Sequence, residues 1–220
     1  MQNLSPRPAQ TRPAYTRAER LSDAVVHVTG LAMVAGAVPV LIVLTALLRG
    51  DAPSVVGASV YGATLVLMIL FSALYNMIGR PDWNWLLRRL DHSAIYLKIA
   101  GTYTPFALIS GQGWGLTTVM WGAAVAGVGL KTISPARFRW LALSLYLGMG
   151  WAGFIAGGPM LAALPVPVVV LMVTGGLIYT VGVAFYLWKA LPFHKTIWHV
   201  FVLAATMVFY AAVVVQVVSG

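Results

Sequence analysis

Seven runs of about 20 mostly apolar residues follow one another along the chain, at approximately 24–48, 54–77, 93–111, 115–133, 138–157, 164–187 and 197–218. An α-helix of that length crosses the roughly 30 Å of hydrocarbon in a bilayer. Lipid offers no partner for backbone N–H and C=O groups, so each run predicts a helix that satisfies its own backbone. Alternating ten-residue segments are absent, which argues against a transmembrane barrel. The third run is the least apolar, with Lys98 and several Thr and Ser, and the sixth opens on Pro165 and Pro167, residues suited to a first helical turn.

Only 9% of the residues are charged and 60% are hydrophobic. A soluble domain carries about a quarter charged residues. The chain is therefore expected to be an all-α membrane protein, a seven-transmembrane helical bundle. Its net charge of +9, from 14 Lys+Arg against 5 Asp+Glu, sits in the connections between runs. No basic patch with interleaved aromatics appears, so nucleic acid is not expected as a partner. Arg7, Arg12, Arg17 and Arg20 precede the first run. Arg80, Arg88 and Arg89 follow the second, Lys131, Arg137 and Arg139 the fourth, and Lys189 and Lys195 the sixth. Arg49 alone occupies the opposite side. Basic loops stay in the cytoplasm, so the pattern predicts an N-terminus inside and a C-terminus outside. Trp83, Trp85, Trp114, Trp140, Trp188 and Trp198 fall near run ends, where aromatic belts form.

Residues 1–22 read as a flexible basic cytoplasmic tail, since no apolar core and cleavage site mark a signal peptide. Residues 23–220 form the seven-helix domain. The absence of Cys removes disulfides and thiolate metal sites. The frequent Gly within runs suits close helix packing.

Few polar groups lie at the predicted cytoplasmic edge, and each is costly there. Ser72 and Asn76 stand four apart, on one helical face. Asp91 and His92 open the third run, and His194 and His199 flank the start of the seventh. By the topology, all three segments end on the same side and can converge. Asp91 reads equally as a helix-start carboxylate and as a group aimed into the bundle. His199 lies between Trp198 and Val200, where a neutral imidazole needs a hydrogen-bond partner or a metal. His194 and His199 diverge by about 140° if both are helical, a poor arrangement for joint chelation. His27 reads as a packed polar residue bonded to a neighbouring helix, and Lys98 is expected to snorkel or face the interior.

These residues stand in segments that resemble the hemolysin III family, the bacterial branch of the progestin and adiponectin receptor superfamily. The segments are DHSAIYLKIAGTYTPF at 91–106, FSALY at 71–75, IWHVFV at 197–202, SDAVVHVTG at 22–30 and LYLGMGW at 145–151. The resemblance implies seven spans and a zinc site at the inner leaflet. Its pattern is Ser-x-x-x-His in the second span, Asp at the start of the third and His-x-x-x-His in the seventh. Ser72, Asp91 and His199 match it; Asn76 and Lys195 stand where His is expected, with His194 one residue away. Phe209 replaces a further His.

The resemblance thus implies a multi-pass protein of the bacterial inner membrane, with lipids as partners, a lipid-like ligand within the bundle and a role in membrane lipid or fluidity homeostasis. Zinc is the cofactor it implies, and the departures at 76 and 195 predict a degenerate site with His199 and His194 as the remaining metal ligands. The alternative is an intramembrane zinc-dependent lipid amide hydrolase in which Asp91 and Ser72 serve the metal-bound water. Nothing resembles a secreted toxin.

Overall fold

The computed structural model describes residues 16–78, 80–133 and 139–219. Among them it contains eight helices and no strand. They are α1 (Arg17–Leu48), α2 (Ala52–Met77), α3 (Pro81–Ser110), α4 (Trp114–Ile133), α5 (Arg139–Ala156), the short α6 (Gly158–Ala162), α7 (Val166–Leu187) and α8 (His194–Ser219). Arg7, Arg12, Arg137 and most of the expected tail lie outside the described residues.

Five helices, α1, α2, α4, α7 and α8, are long and apolar enough to cross a membrane. The third and fifth expected spans are also helical. However, α3 carries Asp82, Arg88, Arg89, Asp91 and Lys98, and the apolar stretch of α5 is short, Trp140–Ala156. The architecture is thus that of a multi-pass helical membrane protein.

The helix ends follow local chemistry. Thr16 caps α1 by accepting from the Glu19 N–H at 3.1 Å, while the Glu19 carboxylate accepts from the Thr16 N–H at 2.9 Å. This reciprocal box starts the helix at Arg17, so residues 17–22, expected to belong to the flexible tail, are helical. The same carboxylate accepts from the Phe193 N–H at 3.0 Å, tying the first turn of α1 to the segment before α8. The expected spans took their starts from the onset of apolarity, and a polar capping box adds no apolarity. Asp51 caps α2, Pro81 opens α3, and Gly111 ends it with φ 68°, a left-handed conformation that favours Gly.

Consecutive helices from α1 to α6 pack as neighbours, as do α7 and α8, and α1 closes the bundle against α8. Helix α3 packs on α2, α4, α5 and α8. Every residue from Ala100 to Ala107 is buried. A helix enclosed by protein on all sides needs no lipid-facing stripe, which explains why the third apolar run is also the most polar. Thr102, Thr104 and Lys98 are buried on it. Lys98 faces the interior, donating to Thr102 Oγ1 at 2.7 Å with its ammonium 4.4 Å from the Tyr61 ring centre. The outer helices instead expose Val40, Val43, Val125, Val170 and Val181.

Small residues set the close approaches. A Cβ on Gly57 would stand 2.9 Å from the Pro105 Cα, a backbone atom that cannot rotate away. A Cβ on Gly127 would stand 2.5 Å from the Tyr96 ring. Gly57→Val is expected to lower stability by about 1–3 kcal/mol through overpacking. Gly36→Ala, which faces open space, should change it by less than about 0.5 kcal/mol. Reversible unfolding in detergent checks both. A second prediction concerns the α2 cap. The Ser54 N–H and hydroxyl, each 2.8 Å from the Asp51 carboxylate, hold its pKa below the ordinary 3.8, with Arg49 adding to the effect. A depressed folded-state pKa means that the cap contributes fully above 3.8 and is lost as pH falls through the folded value. Protection of the Ser54 amide against hydrogen exchange should fall in that acid range, and at neutral pH in Asp51→Ala.

Candidate functional site

The site lies at the end of the bundle where α1, α3 and α8 begin and α2 finishes. Asp23 and His27 sit one turn apart on α1, on a common face. The His27 Nδ1 lies 2.8 Å from the Asp23 backbone carbonyl. A carbonyl only accepts, so Nδ1 carries the proton and Nε2 of the neutral ring holds the lone pair. That Nε2 lies 3.2 Å from Ser72 Oγ on α2. The role expected of His27, a packed polar residue bonded across helices, is the one the geometry gives it.

His199, from the second turn of α8, places Nδ1 2.6 Å from Asp23 Oδ1, a charge-assisted distance. The His27 and His199 rings meet edge to face with centroids 4.5 Å apart. Their side chains are buried or nearly so: 4% exposed for His27, 6% for Asp23 and 13% for His199. Asp91, at the end of the first third of α3, sets its carboxyl beside the Ser72 hydroxyl, within electrostatic reach of His199, Lys195 and Asp23. Ser72, Asp91 and His199 are therefore neighbours, and α1 adds Asp23 and His27 between them.

His194 stands apart, at the first residue of α8 and within electrostatic reach of Glu19. The structure groups His199 with Asp23 and His27 instead, because five residues of helix turn His194 away from His199. Asp91 does not pair with Lys98, whose ammonium is bonded to Thr102 a turn deeper in the bundle. His92 faces Tyr75, with ring centroids 6.2 Å apart, and its backbone carbonyl accepts from the Tyr146 hydroxyl at 2.8 Å.

The zinc ligands that the family resemblance implies do not fit the residues present. Asn76 donates its amide to the Ser72 carbonyl at 2.9 Å, leaving only a weak amide oxygen to offer. Lys195 adds a positive charge close to Asp23 and Asp91. A different set could hold a metal ion. Asp23, His27 and His199 each offer one ligand atom, and the three atoms lie within 4.8 Å of one another. Asp23 is the member that sequence reasoning passed over. The signal was present, since Asp23 and His27 stand four apart, the spacing of chelating pairs on a helix. It was hidden because Asp23 borders the basic segment assigned to the tail.

Comparison with known proteins gives the family of the chain. The family described as "Haemolysin-III related" matches residues 16–210. The chain is 38% identical to "Hemolysin-3" of Bacillus cereus over 212 residues, covering 94% of this chain and 95% of that protein. It is 37% identical to the "Hemolysin-3 homolog" of Bacillus subtilis (strain 168) over 202 residues, 90% of this chain and 94% of the relative. A more distant likeness, 26% over 181 residues, links it to the human "Monocyte to macrophage differentiation factor", covering 76% of this chain and 72% of that one. With α1, the α2–α3 junction and the start of α8 all inside the matched region, the chain belongs to the hemolysin III family, the bacterial branch of the progestin and adiponectin receptor superfamily.

Proposed function

We propose that this protein is a seven-span component of the bacterial inner membrane that contributes to lipid or fluidity homeostasis without catalysing a reaction. The observation that carries this reading is the changed donor set. The positions at which the family resemblance implies histidine hold Asn76 and Lys195, so a hydrolytic zinc on those ligands loses two of its three imidazoles. The remaining polar groups, Ser72, Asp91 and His199, are engaged with one another and with α1, which suits a polar knot that fixes helix ends.

The seven-span reading counts α3 and α5 with the five more apolar helices, with α6 as part of the connection from α5 to α7. At 1.5 Å per residue, α3 spans about 45 Å and α5 about 27 Å, the second near the lower limit of about 17 residues for a span. Enclosure by its neighbours allows α3 to carry charge at membrane depth. The basic connections then lie in the cytoplasm, with the C-terminus outside. For a lipid-like ligand, a half-open groove of about 440 Å³ along α3, bordered by α2 and α4, supports the reading. Phe71, Leu97 and Val128 give it apolar walls, and Trp85 and Arg89 stand at the end nearer the start of α3.

A second reading, a zinc-dependent lipid amide hydrolase, draws on the two carboxylates and two imidazoles gathered at one end of the bundle. The purified protein is expected to leave a ceramide-like amide intact in the presence of zinc. Turnover abolished by Asp91→Ala and by His199→Ala would favour the hydrolase. Deletion in the native host should shift membrane order as reported by a polarity-sensitive lipid dye, and Asp91→Ala, which breaks the knot, should fail to restore it. Reporter fusions after Gly220 are expected to read as external and fusions at the N-terminus as cytoplasmic; a cytoplasmic C-terminus would refute the odd number of spans.

A further inference from the structure

We propose that Asp23, His27 and His199 form a structural site for one divalent cation of the zinc class, which pins the first transmembrane helix to the last. The site is separate in its ligands from the set that the family resemblance implies and shares only His199 with it. It stands independently of the lipid role above.

Four observations carry it. First, the three ligand atoms lie within 4.8 Å of one another. Ligands of one tetrahedral zinc, at bond lengths near 2.0 Å, stand about 3.3 Å apart. The Asp23–His199 contact of 2.6 Å needs to open by about 0.7 Å, and the widest pair to close by at most about 1.5 Å. Side-chain rotation supplies such shifts without moving a helix.

Second, the tautomer of His27 is already set. Its Nδ1–H is held at 2.8 Å by the Asp23 carbonyl, which leaves Nε2 as the lone-pair atom. A second-sphere hydrogen bond to a backbone carbonyl is how metal-bound imidazoles are oriented. The Nε2 accepts from the Ser72 hydroxyl at 3.2 Å, and a cation on this nitrogen replaces that hydrogen bond.

Third, the donor chemistry is selective. Two imidazole nitrogens and one carboxylate oxygen suit zinc, and in this set the cation takes the place of the proton that Asp23 and His199 share. Magnesium and calcium prefer all-oxygen shells.

Fourth, the charge at this end calls for a cation. Asp23 and Asp91 bring two buried or nearly buried carboxylates to it, faced by Lys195 and the two imidazoles. With Lys195 set against two carboxylates, one negative charge is left over, and a bound cation offsets it where lipid and protein screen poorly.

The test is the metal content of the full-length protein, purified in detergent, loaded with zinc and desalted. About one zinc per chain is expected. Cobalt loading should give the visible absorption of a four-coordinate ion with nitrogen and oxygen ligands. Asp23→Asn, His27→Gln and His199→Gln should each weaken binding by more than about 100-fold, beyond the 10–100-fold that outer partners cost. Asn76→Ala should leave it unchanged, and Lys195→Met should strengthen it by removing a nearby positive charge. Chelation should lower the unfolding temperature of the unaltered protein, a readout that holds even if a variant fails to fold. Absence of retained zinc in the unaltered protein would overturn the proposal. So would zinc that survives Asp23→Asn and His27→Gln but is lost on Asn76→Ala or Asp91→Asn, which would place the ion on the family's position instead.

Discussion

The enclosure of α3 is the constraint on which the rest of the molecule depends. A helix in hydrocarbon satisfies its backbone internally, but its side chains must suit whatever surrounds them. With protein on every side from Ala100 to Ala107, α3 is released from the need for a greasy surface. It can hold Lys98 against Thr102 and the Tyr61 face, and can present Asp91 near its start to α2 and α8. The close approaches that make this possible rest on small residues, with Gly57 against the Pro105 backbone and Gly127 under the Tyr96 ring. Hydrophobic drive contributes little between helices in lipid, so close fit and buried hydrogen bonds take its place.

The same geometry assembles the polar end. Alternating helix directions bring the starts of α1, α3 and α8 and the end of α2 to one level. Asp23 links α1 to His199 of α8, and His27 links α1 to Ser72 of α2. Glu19 adds a bond to the Phe193 N–H on the surface. Helices from the beginning and the end of the chain are therefore joined by polar contacts at one edge, so that the bundle is closed where a break would expose charge to lipid. A cluster of two carboxylates and two imidazoles in such a place is costly unless every member is bonded or neutralised.

Much of this was legible in the residues. Each of the seven apolar runs falls on a helix, five of them to within about three residues at each end, whereas α1 starts seven residues and α3 twelve residues before its run. The segments that resemble the hemolysin III family were found in order along the chain, and the matched relatives share that family. Convergence of Ser72, Asp91 and His199 followed from counting helix directions. The part that was not legible is the contribution of α1. Asp23 was hidden by a boundary drawn from apolarity alone, although a capping box extends α1 to Arg17. His194 entered the expected ligand set as the residue next to Lys195, although five residues of helix already set it about 140° from His199; in the structure it lies within electrostatic reach of Glu19.

Helicity, membrane residence and family membership can all be read from the order of residues. Those conclusions need only the free energy of burying apolar runs and the identity of a few contiguous segments. Tertiary structure alone decided which imidazole meets which carboxylate. Asp23 and His199 are separated by nearly the whole chain, and their 2.6 Å contact depends on how α1 and α8 rotate about their axes. That rotation is fixed by the packing of both helices against their neighbours, a many-body property that no local pattern of residues encodes.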